Sequence, residues 1–315
     1  MVVKVVATAY GGPEVLAVID EEVGLPSPGE VLIDVRAAGT NPIDYKLYAG
    51  NMGSDPSQLP MPLGLEASGV VLAVGADAVG PMGEIHIGDE VIVYPARGTY
   101  AEQVIVPASA VVRKPANVTF EEAAGLLLTG ATAVHALTAT GVLAGDTLVI
   151  HGASGGVGLI AVQLAVAKGA RVIATAGESS HAELRRLGAE PVVYGEGLAD
   201  RIRDLAPDGV DAAIDAVGTD EALDVSLALL ADRSRIATIA AGRRGLELGV
   251  KSLGVGPGSD PGAEIRAAAR LELVRLVEEG AIEIRVASTY PLADAAAAHR
   301  ELASGHTHGK IVLLP

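Results

Sequence analysis

The stretch Asp146-Thr147-Leu148-Val149-Ile150-His151-Gly152-Ala153-Ser154-Gly155-Gly156-Val157-Gly158 is followed at once by the apolar run from Leu159 to Lys168. Asp146–His151 reads as a strand and Leu159–Lys168 as a helix, so the glycines occupy a strand-to-helix turn. That context gives the glycines their meaning, since a glycine pattern alone is weak. In the dinucleotide fingerprint one position makes the turn tight, one lets the backbone approach a pyrophosphate, and one lets helix and strand pack closely. Here Ala153 stands at the first position, and Gly155 and Gly158 fill the other two. Backbone N–H groups at the helix start then face the pyrophosphate, with the helix dipole favouring its charge. Ser154, Gly155, Gly156, Val157 and Gly158 are the candidate pyrophosphate contacts.

Working outward, strands and helices alternate to about residue 260. Strands are predicted at Arg171–Thr175, Pro191–Tyr194, Val210–Asp215 and Arg235–Ala240. Helices are predicted at Ala182–Leu187, Ala199–Leu205 and Glu221–Leu230. This alternation predicts a doubly wound parallel sheet of Rossmann type. A sixth strand is expected near Leu246–Val255. The first 120 residues instead read as short strands broken by Gly and Pro: Val2–Ala7, Val15–Val23, Glu30–Ala38, Gly69–Val74, Glu90–Val93 and Tyr100–Val106. That density predicts a small, mainly β, barrel-like domain. Thr119-Phe120-Glu121-Glu122 is a helix-start signal between the two patterns. The last 50 residues are expected to hold helices at Ala263–Glu279 and Leu292–Ser304, with strands at Ile282–Ser288 and Lys310–Leu314.

The end of the second strand of the parallel series discriminates between nicotinamide cofactors. An NAD site places Asp or Glu about 20 residues after the turn to hold the ribose 2′-hydroxyl. Twenty residues beyond Gly155 stands Thr175, which leaves room for a 2′-phosphate and points to NADPH. Thr175, Ser179, Ser180 and His181 are the candidate phosphate donors, with Glu178 as the discordant neighbour. Ligands in open sheets sit at the carboxyl ends of the strands, which adds Val217, Gly218 and Ala240.

Composition narrows the alternatives. The chain has 315 residues, half of them hydrophobic, with one Phe and no Trp, so its cores rest on Val, Leu, Ile and Ala. The net charge of −16 argues against a nucleic-acid or anionic-membrane partner. With no cysteine, disulfides, thiolate nucleophiles and Cys-based zinc sites are excluded. His306 and His308 are the only histidines at close spacing, in a Gly-flanked loop that suits solvation better than a metal. No segment has the pattern of a signal peptide, and a cytoplasmic protein is expected.

An ordered series of short motifs then covers nearly the whole chain. It comprises Gly11-Gly12-Pro13-Glu14-Val15-Leu16, Ala38-Gly39-Thr40-Asn41-Pro42-Ile43-Asp44 and Gly64-Leu65-Glu66-Ala67-Ser68-Gly69. Gly98-Thr99-Tyr100-Ala101-Glu102, Leu128-Thr129-Gly130-Ala131-Thr132-Ala133 and Gly309-Lys310-Ile311-Val312-Leu313 complete it. The series resembles the quinone oxidoreductase (zeta-crystallin-like) branch of the zinc-independent medium-chain dehydrogenase/reductase superfamily. The resemblance implies a chaperonin-10-like catalytic domain from residues 1–122 and 266–315, interrupted by a Rossmann domain at 123–265. It implies NADPH-dependent reduction of quinones or activated double bonds of enals and enones, in a homodimer or tetramer. Relatives that hold a catalytic zinc use Cys and a Gly-His-Glu segment; here that segment is Gly64-Leu65-Glu66, so no metal site is expected.

Hydride transfer asks the protein to align the nicotinamide and to stabilise charge developing on a substrate oxygen. By the resemblance, Asn41 is an active-site amide that donates to a substrate oxygen or the nicotinamide ribose. Tyr45 and Lys46 follow on a short helical turn and are the other catalytic candidates, although bacterial relatives often carry Tyr at the position of Lys46. Thr129 is expected to face the nicotinamide and Tyr194 to lie near the adenosine. Lys310 is expected either to reach the 2′-phosphate or to cap a strand. Two further readings stay open: a non-catalytic NADPH-binding sensor or structural protein, and an enoyl-thioester reductase, for which no basic docking patch is visible.

Overall fold

A computed structural model describes residues 1–315, which pack as two units. The first contains Met1–Leu128, Leu273–Glu278 and Ile284–Pro315; the second contains Thr129–Glu272 and Glu279–Glu283. The first break thus falls after Leu128 rather than after residue 122. Leu128 stays with the first unit because its N–H donates to Glu66 Oε2 at 2.9 Å.

The second unit carries the alternating pattern. Its strands run in the order Glu190–Val192, Arg171–Thr175, Thr147–His151, Ala212–Asp215, Ile236–Thr238, Lys251–Ser252, all parallel. Counted along the unit this is 3-2-1-4-5-6, the doubly wound order whose chain reversal lies beside the first strand. Leu148, Val149, Ile150, Ile173, Ala174, Ala212, Ala213 and Ile214 are fully buried. Such continuous apolar strands suit a sheet covered by helices on both faces, and the alanines let those helices approach closely.

The first unit is mainly β. A seven-stranded sheet is built around Glu30–Gly39, which pairs antiparallel with Glu66–Val74, Gln103–Pro107 and Lys310–Leu314. A separate three-stranded sheet centres on Val2–Ala7. The carboxy-terminal strand Lys310–Leu314 therefore pairs with a strand some 270 residues earlier, bringing Lys310 and Asn41 into one unit.

Several local expectations shift. The sixth parallel strand shrinks from Leu246–Val255 to Lys251–Ser252, because Gly242–Leu248 is helical and ends at Gly249 in the left-handed region, φ +69°. Tyr194 lies two residues beyond its strand and is 55% exposed. Tyr100 leaves the predicted Tyr100–Val106 strand; its N–H donates to the Leu63 carbonyl and its ring is fully buried. The strand near residue 285 is Val286–Pro291 rather than Ile282–Ser288. The apolar run Phe120–Thr140 is long enough to cross a membrane by length and composition, yet 78% of its most apolar window is buried inside the protein.

Candidate active site

The glycine turn lies at the carboxyl end of the central parallel strand. Its helix spans Gly156–Ala167, starting three residues earlier than the apolar run suggested, so Gly156 and Gly158 belong to its first turn. Gly155 is the cap residue and supplies no side-chain hydrogen bond, so the first-turn N–H groups are presented to an anion. A Cβ on Gly158 would stand 2.3 Å from the Gly152 carbonyl oxygen and 2.7 Å from Ala153 Cα. Gly158 is therefore the close-packing glycine. A Cβ on Gly155 would meet only the Gly152 carbonyl oxygen, at an ordinary contact distance of 3.5 Å.

Neighbouring strand ends shape this edge. Thr175 is 3% exposed, and its hydroxyl lies 3.4 Å from the Gly152 N–H and 3.3 Å from His151 Nδ1. It organises the turn, and Ser179 and Ser180 continue past it, the first exposed and the second buried. His181 opens the helix His181–Arg186 with Nε2 3.2 Å from the Ala176 carbonyl. His181, Arg185 and Arg201 line one surface pocket together with Glu178. The two arginines had no motif in the sequence to mark them.

Asp215 and Thr238, also missed, hold the other loops. Asp215 Oδ1 accepts from the N–H groups of Val217 at 3.0 Å and Gly218 at 2.7 Å, and Oδ2 accepts from the Thr238 hydroxyl at 2.7 Å. The Thr238 hydroxyl oxygen accepts in turn from the Ala240 and Ala241 N–H groups. A carboxylate closing the otherwise apolar strand Ala212–Asp215 was the available signal. Thr129 is buried in the first turn of the helix Leu127–Thr140.

In the first unit, Asn41 caps the helix Pro42–Tyr48, whose first position is Pro. Its N–H donates to Asp44 Oδ2 at 2.8 Å, and the Asp44 N–H donates back to the Asn41 carbonyl at 2.9 Å. Its side chain turns inward. Asn41 Nδ2 donates to Glu66 Oε1 at 3.0 Å and approaches the Gly39 carbonyl at 3.4 Å, while Oδ1 accepts from Lys310 Nζ at 2.7 Å. Lys310 also donates to the Thr40 carbonyl at 2.7 Å and to Glu66 Oε1 at 2.9 Å.

Two expectations are corrected by this cluster. Lys310 is not placed to reach a 2′-phosphate: it is 4% exposed and all three ammonium hydrogens have acceptors within the first unit. Asn41 is not an open amide donor for a substrate, since it is 1% exposed and both amide hydrogens point at protein oxygens. Its remaining capacity is an acceptor lone pair on Oδ1. Tyr45 and Lys46, on the same helix, are half-buried. Burial raises the Tyr45 phenol above its ordinary range, making it a weaker acid.

Residues 27–116 match the alcohol dehydrogenase GroES-like domain model, and residues 187–313 match a zinc-binding dehydrogenase model. Quinone oxidoreductase of Pseudomonas aeruginosa is 36% identical over the whole of both chains. The chain belongs to the quinone oxidoreductase branch of the medium-chain dehydrogenase/reductase superfamily. This oxidoreductase is also similar to a mycobacterial protein solved with NADPH (TM-score 0.85, 36% identity, full coverage of both chains). An NAD-dependent alcohol dehydrogenase structure gives TM-score 0.85 with 32% identity over 99% of each chain.

The buried histidines of this oxidoreductase give a pH prediction. Desolvation lowers His151 and His299 from 6.5 to about 4. Unfolding lets both protonate below 6.5, so their contribution is present above that pH and is lost as pH falls from 6.5 towards 4. Asp44 acts oppositely: burial raises it from 3.8 to about 7, and its contribution is lost as pH rises through that window. Two groups outweigh one, so these groups together make stability climb from pH 4.5 to 6.5. Urea midpoints across that range should show the climb, and His151→Asn should flatten it by about 1–3 kcal/mol.

Proposed function

We propose that this protein is an NADPH-dependent, zinc-independent reductase that transfers hydride to quinones or α,β-unsaturated carbonyl compounds. The observation that carries the reading is the cradle at Gly155. It combines an open approach over the turn, an uncapped helix start and the carboxyl-end position of a 3-2-1-4-5-6 sheet. Ser154, Gly155, Gly156, Val157 and Gly158 would hold the pyrophosphate. Val217, Gly218 and Ala240 would border the nicotinamide half, together with Thr129. Ser179, Ser180, His181 and Tyr194 would receive the adenosine half.

NADPH is favoured over NADH because no carboxylate ends the strand Arg171–Thr175, and because His181 and Arg185 line the pocket beyond it, beside Glu178 and Asp204. Bound NADPH supplies the hydride; the protein aligns it and excludes water. Zinc independence is supported by the absence of cysteine, by Leu65 between Gly64 and Glu66, and by the prior commitment of Glu66 to Lys310, Asn41 and Leu128. No group of three or more His, Asp or Glu side chains is arranged to hold a metal ion. The substrate end is assigned to Tyr45 and Lys46. A homodimer acting on a small molecule completes the proposal.

Oxidation of NADPH and NADH, followed at 340 nm across quinones, enals and enones with EDTA present, tests the reading. NADPH should be preferred and EDTA should have no effect. A protein that binds NADPH and reduces no acceptor would instead be a sensor or structural protein.

A further inference from the structure

Beneath the helix Pro42–Tyr48 runs a buried chain of four side chains from three parts of the sequence. Tyr48 Oη lies 2.8 Å from His299 Nδ1, His299 Nε2 lies 3.0 Å from Tyr100 Oη, and Tyr100 Oη lies 2.9 Å from Asp44 Oδ2. None of the four is more than 1% exposed. His299 also stacks on Tyr48, with ring centroids 5.6 Å apart and planes 2° from parallel, and meets Tyr45 edge-on at 6.5 Å.

With Asp44 ionised, hydrogen counting leaves one arrangement. Asp44 Oδ2 accepts both the Asn41 N–H and the Tyr100 hydroxyl. Tyr100 has a single proton, so its oxygen accepts from His299 Nε2–H. A neutral imidazole then has its lone pair on Nδ1, which accepts from the Tyr48 hydroxyl. Asp44 Oδ1 has no hydrogen-bond partner, so a proton taken up by Asp44 is satisfied only at Oδ2, where it would donate to Tyr100 and reverse the sense of the chain. The charged and titratable groups around the chain are Lys310 and Glu66 near Asp44, and Glu14, Tyr45 and Arg300 near Tyr48.

We propose that Asp44, Tyr100 and His299 are positioning residues, a buried hydrogen-bonded chain that sets how the helix Pro42–Tyr48 presents Tyr45 and Lys46 to a bound acceptor. The inference rests on the reductase reading. Asp44 holds the start of the helix through the Asn41 N–H, and His299 holds its far end through Tyr48 and Tyr45. No local motif links these residues; the fold brings together positions 251 apart in the chain.

The experiment compares Asp44→Asn, which keeps an acceptor for Asn41 and Tyr100, with Asp44→Ala, which removes it. Each is checked for folding by circular dichroism and for NADPH binding. Asp44→Ala should lower kcat roughly 10- to 100-fold with KM for NADPH nearly unchanged. Asp44→Asn should retain most of kcat and lose the inflection that ionisation of Asp44 should give the wild-type pH profile near 7. Equal losses in the two variants, or a loss carried by KM for NADPH, would overturn the proposal. Independently, 15N spectra of histidine-labelled wild type, assigned against His299→Gln, should show neutral His299 with its proton on Nε2 well above pH 7, where Asp44 is ionised. A proton on Nδ1 would overturn the chain. If the wild type reduces no acceptor, the reductase reading fails and the chain is judged by the His299 spectrum alone.

Discussion

Lys310→Met is expected to lower stability by about 3–5 kcal/mol, because it strips the counter-charge from a fully buried carboxylate. Glu66 is 0% exposed, and Lys310 is its cationic partner at 2.9 Å. The same change removes the donor to Asn41 Oδ1 and to the Thr40 carbonyl, leaving three acceptors short of a hydrogen. Removing both charges in Lys310→Met with Glu66→Gln should recover much of the loss, since a neutral pair avoids the desolvation of an isolated ion. Urea denaturation followed by circular dichroism reads both variants. A single variant within about 1 kcal/mol of wild type would show that Lys310 carries none of this load. Had Lys310 been a phosphate contact, the change would instead weaken NADPH binding and leave stability alone.

The two fingerprint glycines should fail in opposite ways. Gly155→Val places its Cβ in ordinary contact with the Gly152 carbonyl oxygen, at a position with ordinary backbone geometry, φ −76°. Stability should change by about 1 kcal/mol or less, while NADPH affinity should drop roughly 100-fold or more as the pyrophosphate loses its approach. Gly158→Val drives a side chain into the Gly152 carbonyl and the Ala153 backbone, which cannot retreat without moving the strand end. Destabilisation of about 3 kcal/mol is expected, with cofactor binding lost as a consequence. Isothermal titration with NADPH alongside thermal unfolding separates the cases. If Gly155→Val binds NADPH as wild type does, the pyrophosphate lies elsewhere and the cofactor assignment at this turn is wrong.

Elements with a strong local signal came out close to expectation. Arg171–Thr175 has the apolar centre Val172-Ile173-Ala174, and Thr119 with Glu122 forms the reciprocal cap that its spacing suggested. Elements whose signal was mixed moved. Leu246–Val255 contains helix formers before Gly249 and strand formers after it, and contacts elsewhere in the unit divided it into a helix and a two-residue strand. Among candidate site residues, the turn Ser154–Gly158 could be singled out because its strand–glycine–helix signal is contiguous in the chain. Asn41 and Lys310 were singled out, but their roles were not readable. Each is polar, and nothing local says whether a polar side chain faces a ligand or another buried group.

By itself the sequence determined the alternating parallel sheet, the glycine turn that presents backbone N–H groups to an anion, and the absence of any cysteine chemistry. Those follow from periodicity and from residues adjacent in the chain. Only the tertiary structure decided that Lys310 serves Glu66 and Asn41, that Asp215 and Thr238 hold the cofactor-edge loops, and that His299 closes a chain reaching Asp44. The physical reason is that a hydrophobic pattern reports which positions are buried, whereas the pairing of buried polar groups is set by elements that meet across as many as 271 residues.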